Sequence, residues 1–349
     1  MKIIMPVLCI TLALIVLAGV SGAESSGEPD ADRYDAELAW LHREAVVIYT
    51  DIATKTLLDV DLAPGMVTVL LAEDLKRRGI RNVIEALNLV PGVLANDSTA
   101  LSKSAVVRGI GGAFLGAKLM YMVDSIPLNM NFGNMFEFMF PIEMVERIEV
   151  MQGAGAVIYG RWAYAGVVNI VTNKNEKSLY GKYGSFSSYN GGGNFFYEDK
   201  ANALKISLSA ARTGNNRSGV KSDTDILYGT PNQGASQAPG PINDKSLLLS
   251  SALNVSYKDL YIKGVGYDNA YGSGYGFSGA LPPLDDRLVT KNTTYAAEMG
   301  WQKEITDNIK PKVYIGFKRN RYIMDKMWFF PPANILFLNR GAIRFALIR

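Results

Sequence analysis

Cysteine and histidine are almost absent from this chain: Cys9 is the only thiol and His42 the only imidazole. One cysteine cannot close an internal disulfide or build a thiolate cage, and one histidine excludes metal sites that need several imidazoles. No G-x-S-x-G or H-E-x-x-H pattern occurs, and no nucleophile, base and orienting group stand together. Nothing therefore marks an enzyme, and no metal or cofactor is expected. Gly109-Ile110-Gly111-Gly112 lacks the lysine that a phosphate loop needs at the following positions, so it reads as a glycine turn. An excess of charge of one sign is also missing. A net +3 over 349 residues gives no footprint for nucleic acid. Beyond residues 3–20 there is no apolar run long enough for a membrane helix. That absence leaves a membrane β-barrel open, because its lipid-facing residues alternate with lumen-facing ones.

The first 23 residues read as a secretory signal. Lys2 supplies the positive start, residues 3–20 are apolar apart from Thr11, and Ser21-Gly22-Ala23 puts small residues before Glu24. A membrane anchor is the competing reading, and the acidic stretch that follows favours cleavage. Val20 stands where a lipoprotein signal would carry its cysteine, so lipidation is not expected. Cys9 leaves with the signal. Residues 24–64 form a flexible N-terminal segment, polar and acidic at first. His42 in it is an ordinary polar residue. Glu44, Ala45, Val46, Val47, Ile48 and Tyr49 make one β-prone stretch within it.

From about residue 65 the pattern becomes mixed α/β. Residues 66–71 read as a strand. Residues 72–78 read as a short helix stopped by Gly79, acids first and bases last, as the helix dipole favours. Asn82 caps a second helix, and Glu85 three residues on completes a capping-box pattern. Pro91-Gly92 ends it. Residues 147–172 (RIEVMQGAGAVIYGRWAYAGVVNIVT) then give an alternating strand, a tight turn rich in glycine, and a β-branched strand.

This last phrase resembles the end of the plug domain of TonB-dependent outer-membrane receptors. VIEALNLVPGV (83–93), VVRGI (106–110), LMYMVDSIPL (119–128) and PIEMVERIE (141–149) resemble four earlier plug phrases and stand in that family's order. The resemblance covers roughly 65–173. It carries Arg108, Gly109, Asp124, Arg147, Glu149, Gly153, Tyr159, Gly160, Gly166 and Asn169 as plug framework residues. Several positions depart from the pattern: Ser125 replaces a turn glycine, Gln152 and Ala154 stand where Arg and Pro are common, and Arg161, Trp162 and Tyr164 are bulky where small residues are usual.

After residue 173 the period is two. Leu204, Ile206 and Leu208 oppose Lys205, Ser207 and Ser209. Leu247, Leu249, Leu253 and Val255 oppose Ser250, Asn254 and Ser256, and Val313, Ile315 and Phe317 oppose Gly316 and Lys318. Apolar-out, polar-in alternation fits barrel strands, with a soluble sheet wetted on one face as the competing reading. Candidate strands fall near 177–187, 191–199, 203–212, 246–256, 259–269, 293–304 and 308–323. Short turns at 199–200, 258–259 and 306–308 alternate with long connections at 213–244 and 270–292, the layout of outer-membrane barrels. The expected fold is an α+β plug (65–173) followed by antiparallel transmembrane strands of a partial β-barrel (174–349, about seven strands).

Large plugged barrels have about 22 strands. About seven leave sheet edges that lipid does not tolerate, and the tail 335–349 loses the alternation. The chain is therefore expected to be a fragment or frame-shifted reading of a longer receptor, one that does not insert alone as a stable monomer.

The resemblance implies a receptor exported to the Gram-negative outer membrane. It implies import of a scarce small ligand, of the iron-siderophore or cobalamin class, as a TonB-type energy-coupling protein rearranges the plug. Residues 44–49 then stand where the TonB box is expected, an extended strand that pairs with the partner's sheet edge. A plain linker or first plug strand competes with that reading. Phe114, Phe132, Phe136 and Phe138 are candidate ligand contacts at the plug apex, with plug core as the alternative. Arg108 and Arg147 are expected to pair with acids on the inner barrel wall. The runner-up function is a plug-like binding module that never transports, or the product of a decayed receptor gene.

Overall fold

The computed structural model describes residues 49–50, 52, 58–59, 65–97, 103–110, 119–129, 140–153, 156–276, 279–306 and 309–324. The expected signal, the box candidates Glu44 to Ile48, the ligand-contact candidates Phe114, Phe132, Phe136 and Phe138, and the tail lie outside the described residues.

Five strands make the plug sheet. They are β3 (Met66–Leu71), β6 (Leu119–Val123), β7 (Ile126–Pro127), β8 (Val145–Gln152) and β9 (Gly166–Thr172), in the order β3-β8-β9-β6-β7. β8 pairs antiparallel with β3 and β9, while β6 runs parallel to β9. Two shorter pairs accompany the sheet: β1 (Tyr49–Thr50) with β2 (Leu58–Asp59), and β4 (Val93–Asp97) with β5 (Lys103–Val107). The central strands are apolar at successive positions, which suits a sheet covered on both sides. Leu119, Tyr121 and Val123 face one way with Ile148, Val150, Val168 and Ile170, towards the helices. Met120, Met122, Met151 and Val167 face the other way.

The helices are α1 (Ala72–Arg77) and α2 (Val83–Leu87). Both bury their apolar residues (Ala72, Leu75, Val83, Ala86, Leu87) in the first cluster. Asn82 caps α2 as expected, its side chain accepting from the Glu85 backbone N–H at 3.0 Å. The reciprocal half of the box differs. Glu85 takes the backbone N–H of Arg81 at 2.9 Å and the side-chain amide of Asn82 at 3.3 Å, because the Arg81 guanidinium draws its carboxylate one residue back.

One further expectation holds and one is corrected. The second plug phrase, 106–110, supplies the end of strand β5 and the expected turn at Arg108-Gly109, both with positive φ. The segment between β8 and β9 is no tight turn. It holds a helical turn, α3 (Ala156–Tyr159), and a 3-10 turn (Arg161–Ala163), with Gly153 (φ 119°) and Gly160 (φ 79°) at the bends. Strand-turn-strand patterning cannot show this excursion, because glycine permits the turn without dictating its length.

The second region is one antiparallel meander. β10 (Ser178–Gly184), β11 (Ser188–Asp199), β12 (Leu204–Asn215), β15 (Ser246–Tyr257), β16 (Leu260–Gly272), β17 (Val289–Gln302) and β18 (Lys312–Met324) pair in that order. The seven expected strands are present as a partial barrel wall. The first long connection carries its own antiparallel pair, β13 (Ser218–Ser222) with β14 (Gly240–Asn243). The wall's faces are inverted relative to a water-soluble sheet. Ser207, Ser209, Ser250, Asn269, Asn292 and Thr294 are buried against the plug side, while Leu249, Met299, Val313, Ile315 and Phe317 are exposed. In water each large apolar side chain left exposed forgoes about 1.5–3 kcal/mol of burial. That face suits hydrocarbon, which decides against the soluble-sheet reading.

Candidate functional site: the plug–wall interface

The framework residues converge on a polar chain that runs across the plug sheet and into the wall. Arg147 on β8 donates to Glu146 (2.6 Å) and to the fully buried Glu149 (3.0 Å). Glu149 and Asn169 are cross-strand partners on β8 and β9, and the Asn169 amide donates to Glu149 at 2.9 Å. The Asn169 carbonyl oxygen in turn accepts from the backbone N–H of Ser125 at 3.0 Å. Asp124 and Ser125 both adopt left-handed backbone, φ 48° and 68°. Ser125 stands where glycine would be free of strain, and the Asn169 bond helps hold it there.

Asp124 is the node where plug meets wall. Its carboxylate accepts from the Thr172 backbone N–H (3.1 Å), the Thr172 hydroxyl (2.6 Å) and the Asn254 amide of β15 (2.9 Å), and it pairs with Lys174 (2.9 Å). Its backbone carbonyl accepts from Lys263 of β16 at 3.0 Å. Burial alone would raise the Asp124 carboxyl. The Lys174 charge and the hydrogen bonds from Thr172, Asn254 and Lys174 outweigh it and hold the group below the usual aspartate range.

Two more contacts repeat this chemistry. Glu143, in the turn before β8, binds the Lys182 ammonium and accepts from Asn190 (3.1 Å), and its backbone carbonyl accepts from Asn194 (2.9 Å). Lys318 of β18 donates to the carbonyls of Pro127 (3.3 Å) and Asn129. An apolar contact joins the same surfaces, where Phe140 stacks on Tyr267 of β16 with ring centroids 5.6 Å apart.

The expected arginine-to-wall pairing is therefore reversed. Arg147 is satisfied by the plug's own acids, and Arg108 is exposed, its backbone N–H bonding Gly92 (2.7 Å) in the turn after α2. Here the wall and the linker supply the cations (Lys174, Lys182, Lys263, Lys318), and the plug supplies carboxylates and carbonyls. Sequence reading missed Glu143, Thr172, Lys174, Asn254, Lys263 and Lys318. A lysine at an inward-facing wall position, as at Lys263, has the pattern of one on any wet face, so it gave no local signal of the contact.

The remaining framework residues shape the plug itself. Gly109 (φ 76°) completes the Arg108 turn, closed by reciprocal Val107 and Ile110 backbone bonds. The Gly153 N–H bonds Ala165 at 2.9 Å and closes the excursion. Gly166 lies so close to β8 that a Cβ there would stand 2.4 Å from the Met151 carbonyl oxygen. Gln152, in an arginine-type position, donates to the Pro91 carbonyl at 2.7 Å and ties β8 to the turn after α2. Tyr159 lies half-buried in the excursion, and its hydroxyl donates to the Ile52 carbonyl at 2.8 Å. Tyr49, the one described residue of the box stretch, pairs with Asp59. Among the described residues, no three His, Cys, Asp or Glu side chains converge as a metal site would require.

A covered two-faced plug sheet held against an inverted, lipid-facing meander defines a plugged partial barrel. Residues 59–167 match the family described as TonB-dependent Receptor Plug Domain. Over 111 residues the chain is 30% identical to a vitamin B12 transporter, BtuB, of Vibrio vulnificus, covering 32% of this chain and 18% of that protein. Over 126 residues it is 32% identical to an iron-regulated outer membrane virulence protein of Vibrio cholerae, covering 34% and 19%. In fold it is similar to the pyoverdine outer membrane receptor FpvA of Pseudomonas aeruginosa, with a TM-score of 0.56 at 14% identity. That likeness covers 79% of this chain and 40% of the receptor. The chain thus spans less than half the length of each.

Proposed function

We propose that this chain is the plug and first wall of an outer-membrane receptor that imports a scarce ligand of the siderophore or cobalamin class. A TonB-type partner draws on the N-terminal segment, through a box at residues 44–49, and the plug shifts against the wall. The observation that carries this reading is the chemistry of the interface around Asp124, Glu143 and Lys318. It consists mainly of hydrogen bonds and ion pairs, and its lysine bonds to backbone carbonyls are ones that water can replace, which suits a body that must move inside a fixed wall. The plug spans 65–173 and the wall 174–349, after a cleaved signal at 1–23. The reading needs binding and rearrangement, with no bond chemistry and no cofactor. Phe114, Phe132, Phe136 and Phe138 remain its candidate ligand contacts.

The test is uptake by source cells with and without the gene, using iron-55-loaded catecholate and hydroxamate siderophores and labelled cyanocobalamin. The proposal expects one of these probes to lose accumulation in the deletion. It also expects accumulation, but not surface binding, to vanish when the energy-coupling partner is removed. Uptake of every probe unaffected by the deletion would sink it.

A further inference from the structure

The plug sheet has a second apolar face that none of the described plug–wall contacts uses. Val67, Met151, Val167 and Met120 are cross-strand partners and form a row across β3, β8, β9 and β6. With Met122 and Ala163 they form a cluster that Ile52 enters, and Tyr159 and Trp162 pack at its margin. Ile52 is 1% exposed, although it belongs to the segment beyond β1 and to no strand of the sheet. Two hydrogen bonds fix its backbone. The Ile52 N–H donates to the Thr50 hydroxyl at 3.3 Å, and the Ile52 carbonyl accepts from Tyr159 at 2.8 Å. Ile52 and Tyr159 are 107 residues apart, so this is a long-range clasp that local chain geometry does not impose.

We propose that Ile52, its methionine-walled socket and the Tyr159 hydroxyl form a latch closing the N-terminal segment onto the plug sheet. The parts suit a reversible fastening. Methionine is unbranched and adapts to a vacated space more readily than leucine or isoleucine. The Tyr159 bond reaches a backbone carbonyl, so it holds the segment's path whatever its side chains. Tyr159 sits on α3, in the excursion between the two central strands, so release frees that excursion along with the segment. On the same face, the next row across the sheet is Glu149, Asn169 and Met122. A vacated socket therefore borders the polar chain that ends at Asp124. This consequence for uptake rests on the proposed function, whereas the latch itself does not.

The test needs neither partner nor ligand. The full chain is prepared in a Cys9→Ser background with Met122→Cys as a probe on the socket floor, and its maleimide labelling rate is measured in detergent. Met144→Cys, on the helix side of the plug, serves as the control probe. Tyr159→Phe is expected to speed labelling at position 122 about fivefold, the effect of one lost hydrogen bond of about 1 kcal/mol. Ile52→Ala is expected to speed it more than tenfold. Labelling at position 144 should stay within twofold of its starting rate in both. The proposal is overturned if position 122 responds less than twofold to both changes, or if position 144 accelerates equally, which would mean general loosening. A failed uptake assay leaves this result untouched, and a failed labelling assay leaves the uptake reading standing.

Discussion

Replacing Asp124 with alanine is the sharpest perturbation of the plug–wall contact. The change removes the acceptor for Thr172, Asn254 and Lys174 in one step. Breaking a buried pair by deleting one partner costs about 3–5 kcal/mol. Lys174 keeps 34% of its side chain in solvent, so its share is screened and the lower end applies. A loss of about 3 kcal/mol multiplies local opening about a hundredfold. Hydrogen exchange of the detergent-purified chain reads this directly, in peptides spanning 119–129 and 166–174, and protection there should fall by about that factor. Asp124→Asn keeps a residue that accepts left-handed backbone and retains one acceptor, so its loss should be smaller. The pH dependence adds an independent arm. The folded carboxyl lies below its ordinary value of about 3.9. Its stabilisation is therefore complete above that value and disappears as pH falls through the folded one. The native chain should lose protection at these peptides below about pH 4, and Asp124→Asn should lack that acid step. Protection unchanged within threefold in Asp124→Ala, or an identical acid step in Asp124→Asn, would refute the node.

Gly166→Ala forces a methyl against the Met151 carbonyl oxygen in the centre of the plug sheet. It should destabilise the plug by about 2–3 kcal/mol, and an unshifted urea midpoint would show that β8 and β9 can separate there. Leu253→Arg puts a charge on the outward wall face, where it should cost about 2–4 kcal/mol near the bilayer midplane. In the complete receptor, outer-membrane yield should drop sharply for it and remain for Ser209→Ala on the inward face, whereas equal yields would contradict the assigned sidedness. Val47→Pro removes a backbone donor from the proposed box. It should abolish energised accumulation while surface binding persists, and unchanged accumulation would place the box elsewhere.

The wall was legible because each strand carries its own signal. Ser207 and Ser209 alternate with Leu208 whatever lies beside them, so strand bounds came within a few residues. The direction of the alternation also foretold which face would be apolar. The plug phrases were legible for a similar reason, since Asn82 and Pro91-Gly92 act on neighbouring backbone. The interface was not legible in this way. Asp124 meets Asn254 and Lys263 across 130 and 139 residues of chain. A lysine facing inward in a period-two strand carries the same local pattern as one on any wet face. Arg147 misled for the complementary reason: a plug arginine needs an acid, and nothing local shows that Glu149, two residues on, already supplies it. The second plug face was written in the run Leu119-Met120-Tyr121-Met122-Val123. Its lack of alternation marks a strand buried on both sides, but not what covers the methionine side.

The reversed polarity of the interface bears on how the plug can move. Long lysines from the wall can follow an acceptor over several ångströms, because four carbons and rotatable donors separate charge from backbone. Planar arginine forks on the plug would hold their partners in one geometry. Lys263 and Lys318 bind backbone carbonyls rather than carboxylates, so a shifted plug can offer them the next carbonyl along without stranding a buried anion. The carboxylates are different. Asp124 and Glu143 each engage several donors at fixed distances, and each sits where the chain turns out of a strand or into one. Movement that keeps the Asp124 and Glu143 contacts while sliding past Lys318 costs little, and movement that breaks either carboxylate site costs several kcal/mol. In the proposed uptake cycle the plug is thus expected to pivot about Asp124 and Glu143, with the β7 edge beside Pro127 the first part to travel.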